Sequence, residues 1–204
     1  DDTSAQPVHG VRLTAFCMDE TEVTGSAYRS CVTTGTCTTP GMSMYCNWGV
    51  SGRDQHPVNC VDPAQARAFC VWRGSDLPTE ARWEYAARGT DRRTYPWGND
   101  APGSQLCWNR LPSPGSSCPV QSYPSGNSPF GLFDMAGNVF EWTLDSYASY
   151  TGDSGSYVLN PTGPFDDGSR VLRGGSWGES SPFDVRASHR IQNPLGSSSP
   201  GFGF

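Results

Sequence analysis

The sequence lacks any apolar run of about 18 residues, so no segment is suited to cross a bilayer as a helix. Charge is also scarce. Only 17% of residues are charged, and the 14 basic side chains are outnumbered by 20 acidic ones and form no cluster. Because neutralising phosphates needs a concentrated basic surface, this excludes a nucleic-acid partner. Histidine occurs three times, singly, at His9, His56 and His189, and no two cysteines form a CxxC pair. A tetrahedral zinc cage therefore has no local ligand spacing. Neither a GxSxG elbow nor a phosphate-binding P-loop is present, which removes sequence support for nucleophilic hydrolysis and nucleotide binding. There is no internal repeat, heptad or low-complexity tract. The opening DDTSAQPVHG has no basic then apolar leader, as expected of a mature chain whose signal segment has been removed or lies outside this sequence.

What is present points to one irregular domain. The length of 204 residues suits a single core, and 24 glycines with 17 prolines commit much of the backbone to turns. Such loops lose conformational entropy without repetitive hydrogen-bond ladders to offset it, so another constraint is expected. Eight cysteines supply it. Cys31 with Cys37 and Cys107 with Cys118 read as local pairs, each closing a short loop worth about 2–3 kcal/mol. For the other four, the expected pairs are Cys46 with Cys60 and Cys17 with Cys70. An oxidised framework places the protein outside the cytosol: secreted, at a cell surface or in a periplasm.

Residues 1–10 read as an extended lead and residues 11–204 as the domain. Val11, Leu13 and Ala15 alternate within 11–24, which predicts a first strand. Thr24 can cap a short helix with Ala27, Tyr28 and Cys31 on one face, and residues 38–57 read as a surface loop pinned by Cys46. Asp62-Pro63 is a helix start, since the carboxylate accepts free amides and proline lacks the donor that would be orphaned there. A second main helix starts at Thr79, turns Trp83, Ala86 and Ala87 inward, sets Glu84 four residues before Arg88 and stops at Gly89. From Arg92 to residue 130 the chain reads as ordered coil, and 170–177 as a strand.

GLFDMAGNVFEW (131–142) sets Asp134 and Glu141 seven apart, with Gly137 and Asn138 between them. A turn there can gather two carboxylates and intervening carbonyls around one hard cation, as calcium requires. The plainer explanation is that both acids cap the turn and pair with arginines. RGGSW (173–177) carries two glycines that let the backbone pass close to another element. Beyond it, Ser176, Trp177, Glu179, Ser181, Phe183, Asp184, His189, Gln192 and Asn193 combine small, hydrogen-bonding and apolar groups, the composition of adaptable recognition loops; an unselected solvent loop is the alternative. Of the seven tryptophans, Trp72, Trp83, Trp97, Trp142 and Trp177 read as core, while Trp48 in CNWG reads as an exposed contact.

Four blocks recur together in one family: LPTEARWEYAARG (77–89), YPWGND (95–100), GLFDMAGNVFEW (131–142) and RVLRGGSW (170–177). In order and spacing they resemble the formylglycine-generating enzymes, or sulfatase-modifying factors, whose fold elaborates the C-type lectin fold. The resemblance implies an α+β domain with two main helices, a small antiparallel sheet and disulfide-pinned coil. It implies a structural calcium site formed by the side chains of Asp134 and Glu141 and the carbonyls of Gly137 and Val139. A second site would use Asn109 and the carbonyl of Arg110. Ser176 matches a serine lining the family's active cleft.

In that family the stretch after RGGS carries two thiols that bind copper(I) and oxidise a substrate cysteine to formylglycine. Here it reads GESSPFDVRASHR (178–190), and residues 173–204 contain no cysteine. Glu, Ser and Asp cannot replace the soft sulfur that selects copper(I). The iron-dependent relatives need a histidine triad with an HxxxH spacing, which His9, His56 and His189 do not offer. In phage and bacterial receptors that share the fold, the corresponding end of the domain is a variable ligand-binding face. Members commonly end GFRC, with that cysteine bonded to the counterpart of Cys70; this chain ends GFGF, so Cys17 on the first strand is the expected substitute partner. These features give the expectation of a secreted, calcium-stabilised, non-catalytic domain that binds a protein or glycan, or copies of itself, through residues 176–195. A copper-dependent oxidase is the competing reading.

Overall fold

A computed structural model describes residues 3–111, 115–150, 157–164 and 168–204. Three helices form where side chains can satisfy the free amides of a first turn: α1 (Gly25–Thr33), α2 (Pro63–Trp72) and α3 (Glu80–Arg88). Thr24 accepts from the Ala27 amide and Thr79 from the Arg82 amide. Asp62 accepts from the Gln65 amide while the Gln65 side chain accepts from the Asp62 amide, a reciprocal capping box with Pro63 at the first helical position. Gly89, at φ 65°, ends α3 in a conformation that favours glycine. The expected two main helices are thus joined by the short α1.

Six short strands follow: β1 (Gly10–Arg12), β2 (Phe140–Ser146), β3 (Tyr157–Leu159), β4 (Ser169–Arg173), β5 (Arg190–Pro194) and β6 (Phe202–Gly203). Four build the central sheet in the order β5-β4-β2-β6. Its first three strands are antiparallel as expected, but β6 lies parallel to β2. The predicted 11–24 strand is cut to β1, which pairs with β3 in a separate two-stranded sheet. Beyond Arg12 the ladder stops because Thr14 turns its amide to the side chain of Asn160.

Tyr28, Phe69, Trp142, Leu172 and Phe204 interlock α1 and α2 with the central sheet. Trp83, Ala86, Ala87, Met135 and Ala187 form a second cluster under α3. Trp83, Trp142 and Trp177 are buried as expected, and Trp72 and Trp97 are partly so. Arg173 on β4 has no exposed surface; its guanidinium reaches Glu84 at 2.6 Å and the carbonyls of Ala187, Ser188 and His189. Beside it Arg190 grips both oxygens of Glu80 at 2.8 and 2.6 Å. These pairs fasten α3 to β4, β5 and the 184–190 loop.

Disulfides join Cys31 to Cys37, Cys46 to Cys60 and Cys107 to Cys118. The fourth expected bridge does not form, and Cys17 and Cys70 are free. With β1 ending at Arg12, the residue beside the last strand is Val23, whose amide donates to the Phe204 carbonyl. Cys17 lies six residues earlier, on exposed chain.

Candidate functional site

The acidic turn before β2 is built by left-handed backbone at Asp134 (φ 57°), Gly137 (φ 79°) and Asn138 (φ 57°). Only glycine fits at 137, since a Cβ there would approach the Cys107 carbonyl oxygen to 2.5 Å. Asp134 Oδ2 accepts from the Gln121 amide and Glu141 Oε2 from Trp83 Nε1, both at 2.8 Å. Among the described residues, the other oxygen of each carboxylate and the carbonyls of Gly137 and Val139 accept no hydrogen bond. No arginine among those residues forms an ion pair with either acid, so the arginine pairing of the plainer explanation is not found there, although Asp134 does accept a loop amide.

A third acid joins them that sequence reasoning missed. Glu22 is 4% exposed; its Oε1 accepts from the Val139 amide at 3.0 Å and its Oε2 from the Asn138 side-chain amide at 2.5 Å. Burial, reinforced by Asp134 and Glu141, holds the Glu22 carboxyl well above the usual range. Burial also pushes Glu141 up to about 8, against the Trp83 hydrogen bond, and Asp134 up to about 6, against the Gln121 amide. Carboxylates buried without a counter-charge must bind protons or a cation. No set of three His, Cys, Asp or Glu side chains is arranged to hold a metal among the described residues. A cation here would therefore sit on two carboxylates and backbone carbonyls, an all-oxygen set that suits calcium.

The 176–195 face begins at Gly174 and Gly175, where a Cβ would meet the Trp83 ring at 3.2 Å and the Asp184 carbonyl at 2.8 Å respectively. Ser176, nearly buried, donates to Glu179 Oε1 at 3.3 Å. Burial and then the adjacent Asp184 raise the Glu179 carboxyl. His189 Nε2 lies 3.8 Å from Asp184 Oδ1, and its ring meets the Phe183 ring at 4.9 Å. Ser181 is exposed and caps a tight turn by accepting the Phe183 amide.

A family model described as the sulfatase-modifying factor enzyme 1-like domain matches residues 1–204. The chain belongs to this family. It is 35% identical over 253 aligned positions to a formylglycine-generating enzyme of Streptomyces coelicolor, covering 97% of this chain and 79% of that protein. It is 40% identical to the serine/threonine-protein kinase pkn1 of Chlamydia caviae over 155 positions, 75% of this chain but only 24% of the kinase. Among solved structures, Treponema denticola variable protein 1 superposes with a TM-score of 0.78 over 100% of this chain and 88% of that one, at 24% identity.

Within this sulfatase-modifying-factor domain the predicted face is not one surface. Trp177 turns inward against Cys107, Cys118 and Val139 and donates to the Pro200 carbonyl. Gln192 and Asn193 are consecutive on β5, so their side chains leave opposite sides of the sheet. Trp48 is half-buried, edge-on to Tyr28 and under Arg29, and so belongs to the core margin. Exposed apolar groups instead come from its own loop: Met42 at 82%, Met44 at 75%, and Tyr45, held at φ 73° against Trp177. The Asn59 amide ties this loop to the tail through the carbonyls of Tyr45 and Pro200. Leu111, also exposed, lies beside Gly178. GMSMYC gave no periodic signal that could have marked these residues.

At the second candidate cation pair, the Asn109 backbone amide donates to the Glu179 carbonyl and the Arg110 carbonyl accepts from the Gly115 amide. Neither free thiol belongs to the 176–195 face: Cys70 is on α2, where burial pushes it up to about 12, and Cys17 is exposed.

Proposed function

We propose that this chain is a non-catalytic recognition domain, exported from the cytosol and stabilised by calcium, which binds a protein or glycan or assembles with copies of itself. The observation that carries this reading is the makeup of the surface after RGGSW. Ser176, Glu179 and Asp184 stand there with no sulfur among them, bordered by the exposed Met42, Met44, Tyr45 and Leu111. The surface after RGGSW offers no thiolate pair of the kind that binds copper(I) and oxidises a thiol, whereas flexible methionines beside hydrogen-bonding groups form an adaptable contact surface. The similarity to a variable protein agrees in fold. Three disulfides support an extracellular or periplasmic setting.

Calcium enters through the acidic turn. Asp134 and Glu141 with the carbonyls of Gly137 and Val139 would hold it, and its charge would offset the buried carboxylates. Chelation should lower the melting temperature, and Asp134→Ala should reproduce the chelated melt and abolish the response to calcium. An identical melt with and without chelator removes the metal from this reading.

The second reading, a copper-dependent oxidase of protein cysteine, is favoured by the identity with a protein named as a formylglycine-generating enzyme. Incubation with copper(I), oxygen and a cysteine-containing sulfatase-type peptide separates the two. Recognition without chemistry predicts an unchanged peptide mass. Conversion of the thiol to an aldehyde overturns the non-catalytic assignment.

A further inference from the structure

Glu22 occupies an unusual place: a buried carboxylate whose two oxygens both accept from one neighbouring dipeptide, Asn138-Val139. Asn138, with no exposed surface, is a junction. Its side-chain oxygen accepts from the Cys118 amide, its own amide donates to the Cys107 carbonyl, and its carbonyl accepts from the Trp177 amide. A trans peptide unit is planar, with N–H and C=O pointing opposite ways, so a bond to one end aims the other. The Asn138 amide bond to Cys107 therefore turns the Gly137 carbonyl away from Cys107. The Phe140 amide bond to the Gly201 carbonyl, at 2.7 Å, likewise sets the direction of the Val139 carbonyl. Between these two peptide units lies the third, and Glu22 holds its N–H.

The chain around Glu22 is equally engaged. Glu20 accepts the Phe133 amide, the Val23 amide donates to Phe204, and the Val23 carbonyl accepts from Val58. Residues 20–23 thus run between the acidic turn and the last strand, with Glu22 as their side-chain attachment to the turn.

We propose that Glu22 is a positioning residue for the cation site: without touching the ion, it fixes the Asn138–Val139 peptide unit that spaces the carbonyls of Gly137 and Val139, and couples docking of residues 20–23 to cation binding. Both its oxygens are already occupied by N–H donors, which fits a supporting rather than a ligating role. Supporting hydrogen-bond partners of metal ligands are worth about 10–100-fold in metal affinity. The inference rests on the calcium reading above and extends it to a residue far away in sequence.

The test is calorimetric titration of the whole chain with calcium, comparing wild type, Glu22→Gln and Asp134→Ala, together with amide hydrogen exchange of the wild type with calcium and with chelator. Glutamine keeps one acceptor for the Val139 amide but opposes the Asn138 amide with a second donor. Calcium affinity should fall about 10–100-fold in Glu22→Gln, and amides 20–23 should gain protection together with 137–140 when calcium is added. Wild-type affinity in Glu22→Gln overturns the role of Glu22 while leaving the cation site standing. Absence of calcium binding by the wild type overturns both. If Glu22→Gln does not fold, exchange in the wild type decides: protection that rises at 137–140 but not at 20–23 overturns the coupling.

Discussion

At the scale of single residues, the carboxyls of Asp134 and Glu141 have the clearest experimental signature. Burial first, with Asp134 adding to the effect at Glu141, raises these groups to about 6 and about 8 in the folded chain, from about 4 when unfolded. The cation-free protein therefore keeps protons that the unfolded chain has released, and its stability falls as pH rises from about 4 through about 8. On the proposed calcium reading the ion would replace those protons, so its stabilisation should be largest at the upper end of the window. Melting curves of chelated and calcium-loaded protein across this range should diverge with rising pH; parallel curves contradict the assignment. Asp134 and Glu141 were legible in the sequence because both lie in one twelve-residue block. Glu22 was not, because it meets Asn138 across 116 positions of chain.

At the scale of elements, local chemistry read correctly and long-range placement did not. Thr24, Asp62 and Thr79 each accept an amide three residues ahead, so all three helix starts follow from short stretches of sequence. The first strand failed because its length depends on Asn160, a partner no local pattern announces. The alternation of β5 was equally invisible within a polar stretch, and with it the separation of Gln192 from Asn193. The union of α3 with β4 also rests on distant partners. Arg173→Ala leaves Glu84 without that partner and removes the guanidinium donor from three carbonyls, and should cost about 3–5 kcal/mol. Urea unfolding monitored by tryptophan fluorescence would measure it, and a loss below about 1 kcal/mol would show that solvent or a neighbour replaces the guanidinium.

At the scale of the whole molecule, three cross-links do the work for which four were expected. Thiol titration of unfolded, unreduced protein should find two reactive groups per chain, Cys17 and Cys70. In the native state Cys17 should react quickly and Cys70 slowly, because Cys70 is half-buried and its thiol is held up at about 12. A count of zero would restore the bridge expected from sequence.

The anchoring of the loop after RGGSW carries one more consequence. Its foundations, Arg173, Gly174, Gly175, Val185 and Ala187, are buried, whereas Ser180, Ser181 and Pro182 between them project into solvent. Mutational load falls on the foundations and leaves the crest free, so a library randomised at 180–182 should express as well as the parent. The domain is in this sense a mounting plate whose upper surface can be recut without loosening its bolts.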